Sequence, residues 1–439
     1  MQRYDFASNN VILGGIDGQS NGAGSNTGKL GFAPRFGISY RLNNKTVLRA
    51  GYGISNDPYP FTRAMRDPYP VTIAQTVNAN NSYVSAGNFV TGIPGYSTVA
   101  PVIKQDGTAA LPLTAYTKTL PAGTFRRGYV ESANATIERA LPAGFDLTAS
   151  YVLTQTIRQT VYFEANAGQT PGLGAAGQPL YTAFGRKAQT QEILPFSTAN
   201  YNALQLNLKH PFTHGVLLTA SYTYSKSLDE ATDDDAVPLF NAHSYLSRNR
   251  AVSDFNRTNV FDVGFTAELP FGKDHAFLDS PGMVSAIASG WKINGVVSRY
   301  SGLPFTPIAS ATSLNAPFNT QVANKVKSSV AYPKGIGKYA TWFDTSAFAP
   351  VTTASFGTAS RNALRGPGDS DLDLGISRLF SITERIHFEL RGEAFNATNT
   401  PNFAVPANNA SSSNFGQITS TFGSAADSRV LRFTGKLSF

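Results

Sequence analysis

The chain has 439 residues, enough for two or three soluble domains or one large β architecture, yet charged residues make up only 15% of it, against about 25% in soluble domains. Glycine (39), proline (25), phenylalanine (30) and tyrosine (19) are plentiful and cysteine is absent, so strands and turns are favoured, and disulfides, thiolate metal sites and a cysteine nucleophile are excluded. The formal charge of +8 comes from Lys and Arg scattered without a run of four or more, which argues against a nucleic-acid partner and for a surface near anionic lipid head groups.

In chain order, residues 1–33 read as irregular, dominated by turn chemistry. The stretch QRYDFASNN after Met1 has neither the basic nor the apolar region of a secretory signal. Alternation then begins. Phe36, Ile38, Tyr40 and Leu42 interleave with Arg35, Gly37, Ser39 and Arg41, Asn43-Asn44 turns the chain, and 46–54 returns with Leu48, Ala50, Tyr52 and Ile54 on the apolar side. Successive strand side chains point to opposite faces, so this is a hairpin with one apolar and one polar face. After a long loop (55–124), a second hairpin joins 129–141 to 145–154. A third joins 201–210 to 216–225 beyond another loop (156–198), and a fourth joins 259–269 to 290–301 after a polar loop (228–255). Residues 302–368 read as loop, 371–379 and 385–397 as the fifth hairpin, and 427–439 as a last strand ending on Phe439.

That makes about eleven strands of about ten residues each, and such a strand, tilted, spans close to the ~25 Å apolar band of an outer-membrane barrel. No apolar run reaches the roughly 18 residues a transmembrane helix needs. Short turns and long loops take strict turns along the chain. Outer-membrane barrels have that asymmetry, with short periplasmic turns and long extracellular loops. The expectation is therefore an all-β, transmembrane antiparallel β-barrel over 34–439, with 1–33 an extracellular loop segment and lipid on the apolar face. Single-chain bacterial barrels have even strand numbers, and the 34–42 strand runs inward, so an incomplete barrel is expected. The competing architecture is a soluble β-sandwich.

The stretches APRFGISYRLNNKTVLRAGYGIS, NALQLNLKHPFTHGVLLTASYTYSKSLDEA, SDFNRTNVFDVGF, SGLPFTP, RNALRGPG and FELRGEAFNATNTPNF resemble the barrel portion of TonB-dependent outer-membrane receptors, most of all the Oar-like subgroup. The resemblance implies the C-terminal half of a 22-strand barrel in the outer membrane of a Gram-negative-type bacterium. It also implies uptake of a scarce solute powered by the TonB complex through a plug domain that this chain lacks. The terminal Phe439 resembles the aromatic residue read by the barrel-assembly machinery. Outer-membrane lipid, that machinery and an unknown solute are the implied partners. A passive porin or adhesin-type barrel, and a secreted soluble sandwich that binds polysaccharide, are the alternatives.

No catalytic signature is present: the chain has no His-Glu-x-x-His, Gly-x-Ser-x-Gly or Walker loop. The expectation is a non-enzyme without cofactor. Asp233, Asp234 and Asp235 offer hard oxygen ligands but lack the spacing and central glycine of a calcium loop, so they are weak metal candidates. His210 and His214 bracket a tight turn and read as exposed. Arg385, His387, Glu389, Arg391 and Glu393 form the most regular polar row and are candidates for a lumen wall meeting plug or solute. Arg63 and Arg66, with Tyr59, Phe61 and Tyr69, are candidates for an extracellular ligand-gripping loop.

Overall fold

In a computed structural model the structure describes residues 2–28, 31–58, 79, 83–88, 90, 102–233, 236–272, 275–280, 282–333, 341–422 and 428–439. A single antiparallel meander dominates. Its strands are β1 (Arg35–Asn43), β2 (Thr46–Asn56), β3 (Tyr129–Ala140), β4 (Asp146–Glu164), β5 (Thr190–Thr213), β6 (Val216–Asp229), β7 (Asn259–Glu268), β8 (Trp291–Tyr300), β9 (Asp369–Ser381), β10 (His387–Phe395) and β11 (Val430–Ser438). Each pairs with its neighbours in sequence, from β1 at one edge to β11 at the other, and two short strands off this path bring the sheet to 13. All five hairpins expected from the sequence are present.

The turns at one end are tight for identifiable reasons. His214 (φ 52°) and Gly215 (φ 74°) both adopt positive φ between β5 and β6, the conformation whose twist matches a two-residue hairpin. Ala143 (φ 58°) and Gly144 (φ 78°) do the same between β3 and β4. The turn from β1 to β2 is held by Asn43, whose side-chain oxygen accepts from the Lys45 N–H at 2.9 Å.

Register carries the two-faced pattern across the whole sheet. Phe388 lies opposite Leu437, Gly392 opposite Phe433 and Ala394 opposite Leu431, while Glu389 faces Lys436 and Glu393 faces Arg432. Leu206 meets Ala149 on one side and Tyr222 on the other, and Phe265 meets Leu218 and Gly295. A one-residue slip anywhere would exchange the faces. On the apolar parity, charge appears only near strand ends. Glu131 and Arg139 bound β3, and Arg299 sits at the far end of β8 from Trp291, which pairs with Arg378. Eight residues separate each such pair, about 27 Å along a strand and about 20 Å along a tilted barrel axis. Between these limits the face is Ala133, Ala135 and Ile137 in β3 and Ile293, Gly295 and Val297 in β8.

This apolar face is not a protein core. Phe433 is 80% exposed, Leu437 57% and Ile38 55%. The largest buried cluster lies instead at the long-connection end: Phe240, Phe305, Leu314, Val322, Phe343, Phe348, Phe356 and Leu364, from connections 230–258 and 301–368. Edge-on ring contacts such as Phe343 to Phe415 (5.2 Å) tie in the connection 396–429.

Two readings need correction, and two further features are new in the structure. Residues 1–33 are not irregular throughout: Gln2–Asp5 and Asn10–Leu13 form a small sheet with Thr108–Ala110, and Ser25–Thr27 pairs with Gly123–Phe125. The strands β4 and β5 run to 19 and 24 residues, well into the expected 156–198 loop, because Thr160–Glu164 continue to pair with Pro195–Gln191 past a bulge. The connection from β7 to β8 contains a short helix, Met283–Ala288. Finally, the described residues of connections 230–258, 301–368 and 396–429 pack together, and their polar groups satisfy one another, as described next.

Candidate functional site

The polar face of the wall is lined by pairs within and across its strands. Glu393 takes Arg432 at 2.7 Å and Arg391 at 3.7 Å, and Arg391 reaches Glu389 at 2.6 Å. Further along, Lys292 pairs with Glu268 at 3.0 Å and Arg49 with Glu138 at 3.1 Å. Asp262 accepts from the Ser298 and Tyr300 hydroxyls, both at 2.7 Å. These side chains are partly exposed, so each pair adds little stability. Their joint effect is a polar face whose charges are locally compensated.

The expected residues are distributed unevenly on this wall. Glu389, Arg391 and Glu393 are on it, and His387 follows the same parity with its Nδ1 3.2 Å from the Ser381 hydroxyl. Arg385 does not belong to the row. It lies in the turn before β10, where its backbone N–H donates to Thr383 Oγ1 at 3.3 Å, and the strand begins two residues later, at His387. The cluster of Tyr59, Phe61, Arg63, Arg66 and Tyr69 lies outside the described residues, as do Asp234 and Asp235. Asp233 is exposed, and among the described residues no group of three or more His, Asp or Glu could hold a metal. Phe439 is 97% exposed at the edge of the sheet.

His210 departs from its reading as an exposed turn residue. It is buried, with Nδ1 3.1 Å from the Val216 carbonyl, Nε2 3.1 Å from the Ala143 carbonyl, and its ring 4.6 Å from that of Phe145. It clamps two adjacent turns together.

Sequence reasoning missed the charged node where the connections leave the wall. Arg361 is buried and donates to Asp229 Oδ1 (2.7 Å), the Asn249 carbonyl (3.0 Å), Thr232 Oγ1 (2.5 Å) and Asp254 Oδ1 (3.1 Å). Asn362 also donates to Asp254 and to the Val252 carbonyl. Arg365 donates to the Asn256 and Gly302 carbonyls at 3.0 and 3.1 Å. Arg257 pairs with Asp369 at the start of β9 at 2.6 Å and donates to the Ser301 carbonyl at 3.0 Å. A side chain at Gly302 would meet the Gly366 carbonyl at 1.9 Å, so close packing of these two segments requires glycine there. The stretches SDFNRTNVF, SGLPFTP and RNALRGPG thus meet at one rim. Their signal was present in the sequence as arginines and glycines recurring in otherwise polar loops, but nothing local says that they touch.

A second buried node ties residues 2–13 to the tall β4–β5 extension. Arg186, fully buried, donates to Thr190 Oγ1 (2.8 Å), the Pro112 carbonyl (2.8 Å) and the Ala115 carbonyl, and lies 5.4 Å from the Tyr4 ring. Glu164 accepts from the Thr190 and Asn166 N–H groups at 2.8 and 3.2 Å through Oε1. Burial pushes the Glu164 carboxyl up to about 7, against the opposing pull of those donors and of the Arg186 charge.

Over this geometry, residues 1–432 match the family model described as an outer membrane beta barrel domain. The chain belongs to the outer membrane β-barrel domain family. Lipid therefore covers the apolar face of the sheet, the protein resides in the Gram-negative outer membrane, and the fold is that of membrane barrels. Comparison with curated proteins finds no match. Among solved structures, the outer membrane transporter YddB from Escherichia coli is similar over 92% of this chain and 40% of its own, with 9% identity and a TM-score of 0.45. The ferric-catecholate import receptor Fiu from E. coli is similar over 92% and 34%, with 10% identity and a TM-score of 0.40. The ferripyoverdine receptor of Pseudomonas aeruginosa is similar over 92% and 32%, with 9% identity and a TM-score of 0.39. The barrel chain spans 40% or less of the length of each of these proteins.

Proposed function

We propose that this chain forms part of the wall and the outer loops of a TonB-dependent outer-membrane receptor that takes up a scarce solute. The long connections face the cell exterior, the tight turns face the periplasm, and the polar row of His387, Glu389, Arg391 and Glu393 faces the lumen. Energy comes from the TonB complex through a plug outside this chain, and the chain itself performs no chemical step. Phe439 serves as the signal for the barrel-assembly machinery.

The observation that carries this reading is the arginine-locked rim. Arg361 and Arg257 tether packed loops to the ends of β6 and β9, and Arg365 joins the segments that flank β7 and β8, so folded loops are held in place at the end of the polar wall. Folded loops fixed at the end of a polar wall fit a receptor that grips its solute before passing it on. Support also comes from the ordered set of stretches that resemble the receptors.

The test is uptake by the complete parent protein in an outer-membrane-competent host, with TonB present or deleted. A panel of ferric chelates, oligosaccharides and peptides should include one whose uptake needs both. Uptake indifferent to TonB, with steady conductance in planar bilayers, would establish a passive porin instead.

A further inference from the structure

A cleft of about 560 Å³ opens on the outer face of the wall, beside the ends of β2, β3 and β4. Arg126, Arg127 and Arg158 line it, together with Tyr129, Glu131 and Asn56. Tyr129 and Glu131 share the parity of Ala133, Ala135 and Ile137, and Asn56 shares that of Tyr52 and Ile54. The cleft is therefore continuous with the lipid-covered surface and lies at its upper limit.

Arg158 reaches this position by a distortion. The β4–β5 register shifts between Thr156 and Gln159, and Arg158 within that bulge adopts φ 60°, which is costly for a residue with a side chain. The result is a guanidinium 5.3 Å from the Tyr129 ring centre, with its Nε lacking a hydrogen-bond partner among the described residues. Arg127 donates to the Gly28 carbonyl at 3.2 Å. Among the described residues no carboxylate lies within ion-pair distance of any of the three arginines. Glu131 shares the cleft without pairing to them, so three positive charges stand against one negative.

We propose that this cleft binds the phosphate of an outer-leaflet glycolipid head group. Guanidinium groups match phosphate oxygens with paired donors, and the adjoining apolar band of Tyr52, Ile54 and Ala133 accepts the acyl chains. A free anion would gain the first contact but not the second, which is why a lipid is the occupant. The assignment to the outer leaflet rests on the proposed orientation, long connections outward.

The test uses the full chain in detergent micelles and a fluorescent, phosphorylated diglucosamine lipid. Binding should be at least tenfold tighter than to the same lipid without phosphate. The triple variant R126A/R127A/R158A should lose that preference, while Arg432→Ala on the polar face keeps it. Equal binding of both lipids, an unaffected triple variant, or full displacement by millimolar inorganic phosphate would each overturn the proposal. Orientation is read separately by Thr353→Cys, the sole thiol in that variant, with a membrane-impermeant maleimide on intact cells. Labelling supports the outer leaflet; its failure alongside phosphate selectivity would place the site in the inner leaflet and overturn the outer-leaflet glycolipid together with the orientation.

Discussion

The wall and the loop crown of this protein obey opposite rules of burial. In the wall, large apolar side chains such as Phe433 and Ile38 stand exposed and polar ones pair with each other on the other face. In the crown, Phe240, Leu314, Val322 and Phe343 are fully buried, and a charged residue, Arg361, is buried as well, held by five acceptors. The crown is organised as a soluble protein is, because water surrounds it. The wall is inverted because hydrocarbon solvates one face, and no protein core is needed there. One chain thus folds against two solvents, and the arginine rim is the border between them.

The largest effect expected is at that border. Arg361→Ala leaves Asp229 buried without its partner and should cost about 3–5 kcal/mol. Hydrogen exchange should show the loss in 229–254 and 361–365 with the wall unchanged. Loosening of the wall as well would mean that the two regions are a single cooperative unit.

Next comes a test of the solvent on each face. Leu206→Arg places a charge against lipid and should cost about 2–4 kcal/mol near mid-band, measured by denaturant titration of refolding into vesicles. Asn207→Arg, one residue along on the polar face, should stay within about 0.5 kcal/mol. Equal costs would break the two-solvent comparison.

The third effect belongs to the crown. Glu164 has its folded value at about 7, above its ordinary 4.5. The folded form therefore holds the proton more tightly than the unfolded form, and stability falls as pH rises from 4.5 through 7 and is flat beyond. The expected loss is about 2 kcal/mol between pH 5.5 and 7.5, read as exchange protection of residues 160–192. Glu164→Gln should remove the dependence. The smallest effect is Arg49→Ala, which removes a half-exposed pair with Glu138 and should cost at most about 1 kcal/mol.

The five hairpins and the last strand were legible in the chain because each depends on a period of two between turn residues, a local property. Strand ends were less so: β4 and β5 continue past 156 because they pair with each other, and a short strand at Thr117–Thr119 joins them from far away. The polar row was visible for Glu389, Arg391 and Glu393, yet Arg385 was read into it since alternation alone does not reveal where a turn begins.

Alternating side chains, and the rhythm of short and long connections, determined by themselves a membrane-spanning meander with one oily face. Only the tertiary structure decided that the loops pack into a crown, that Arg361 and Arg257 fasten it, and that a bulge swings Arg158 outward. The reason is range: a strand's faces follow from neighbouring residues, whereas a buried charge needs acceptors that the chain brings from more than a hundred residues away.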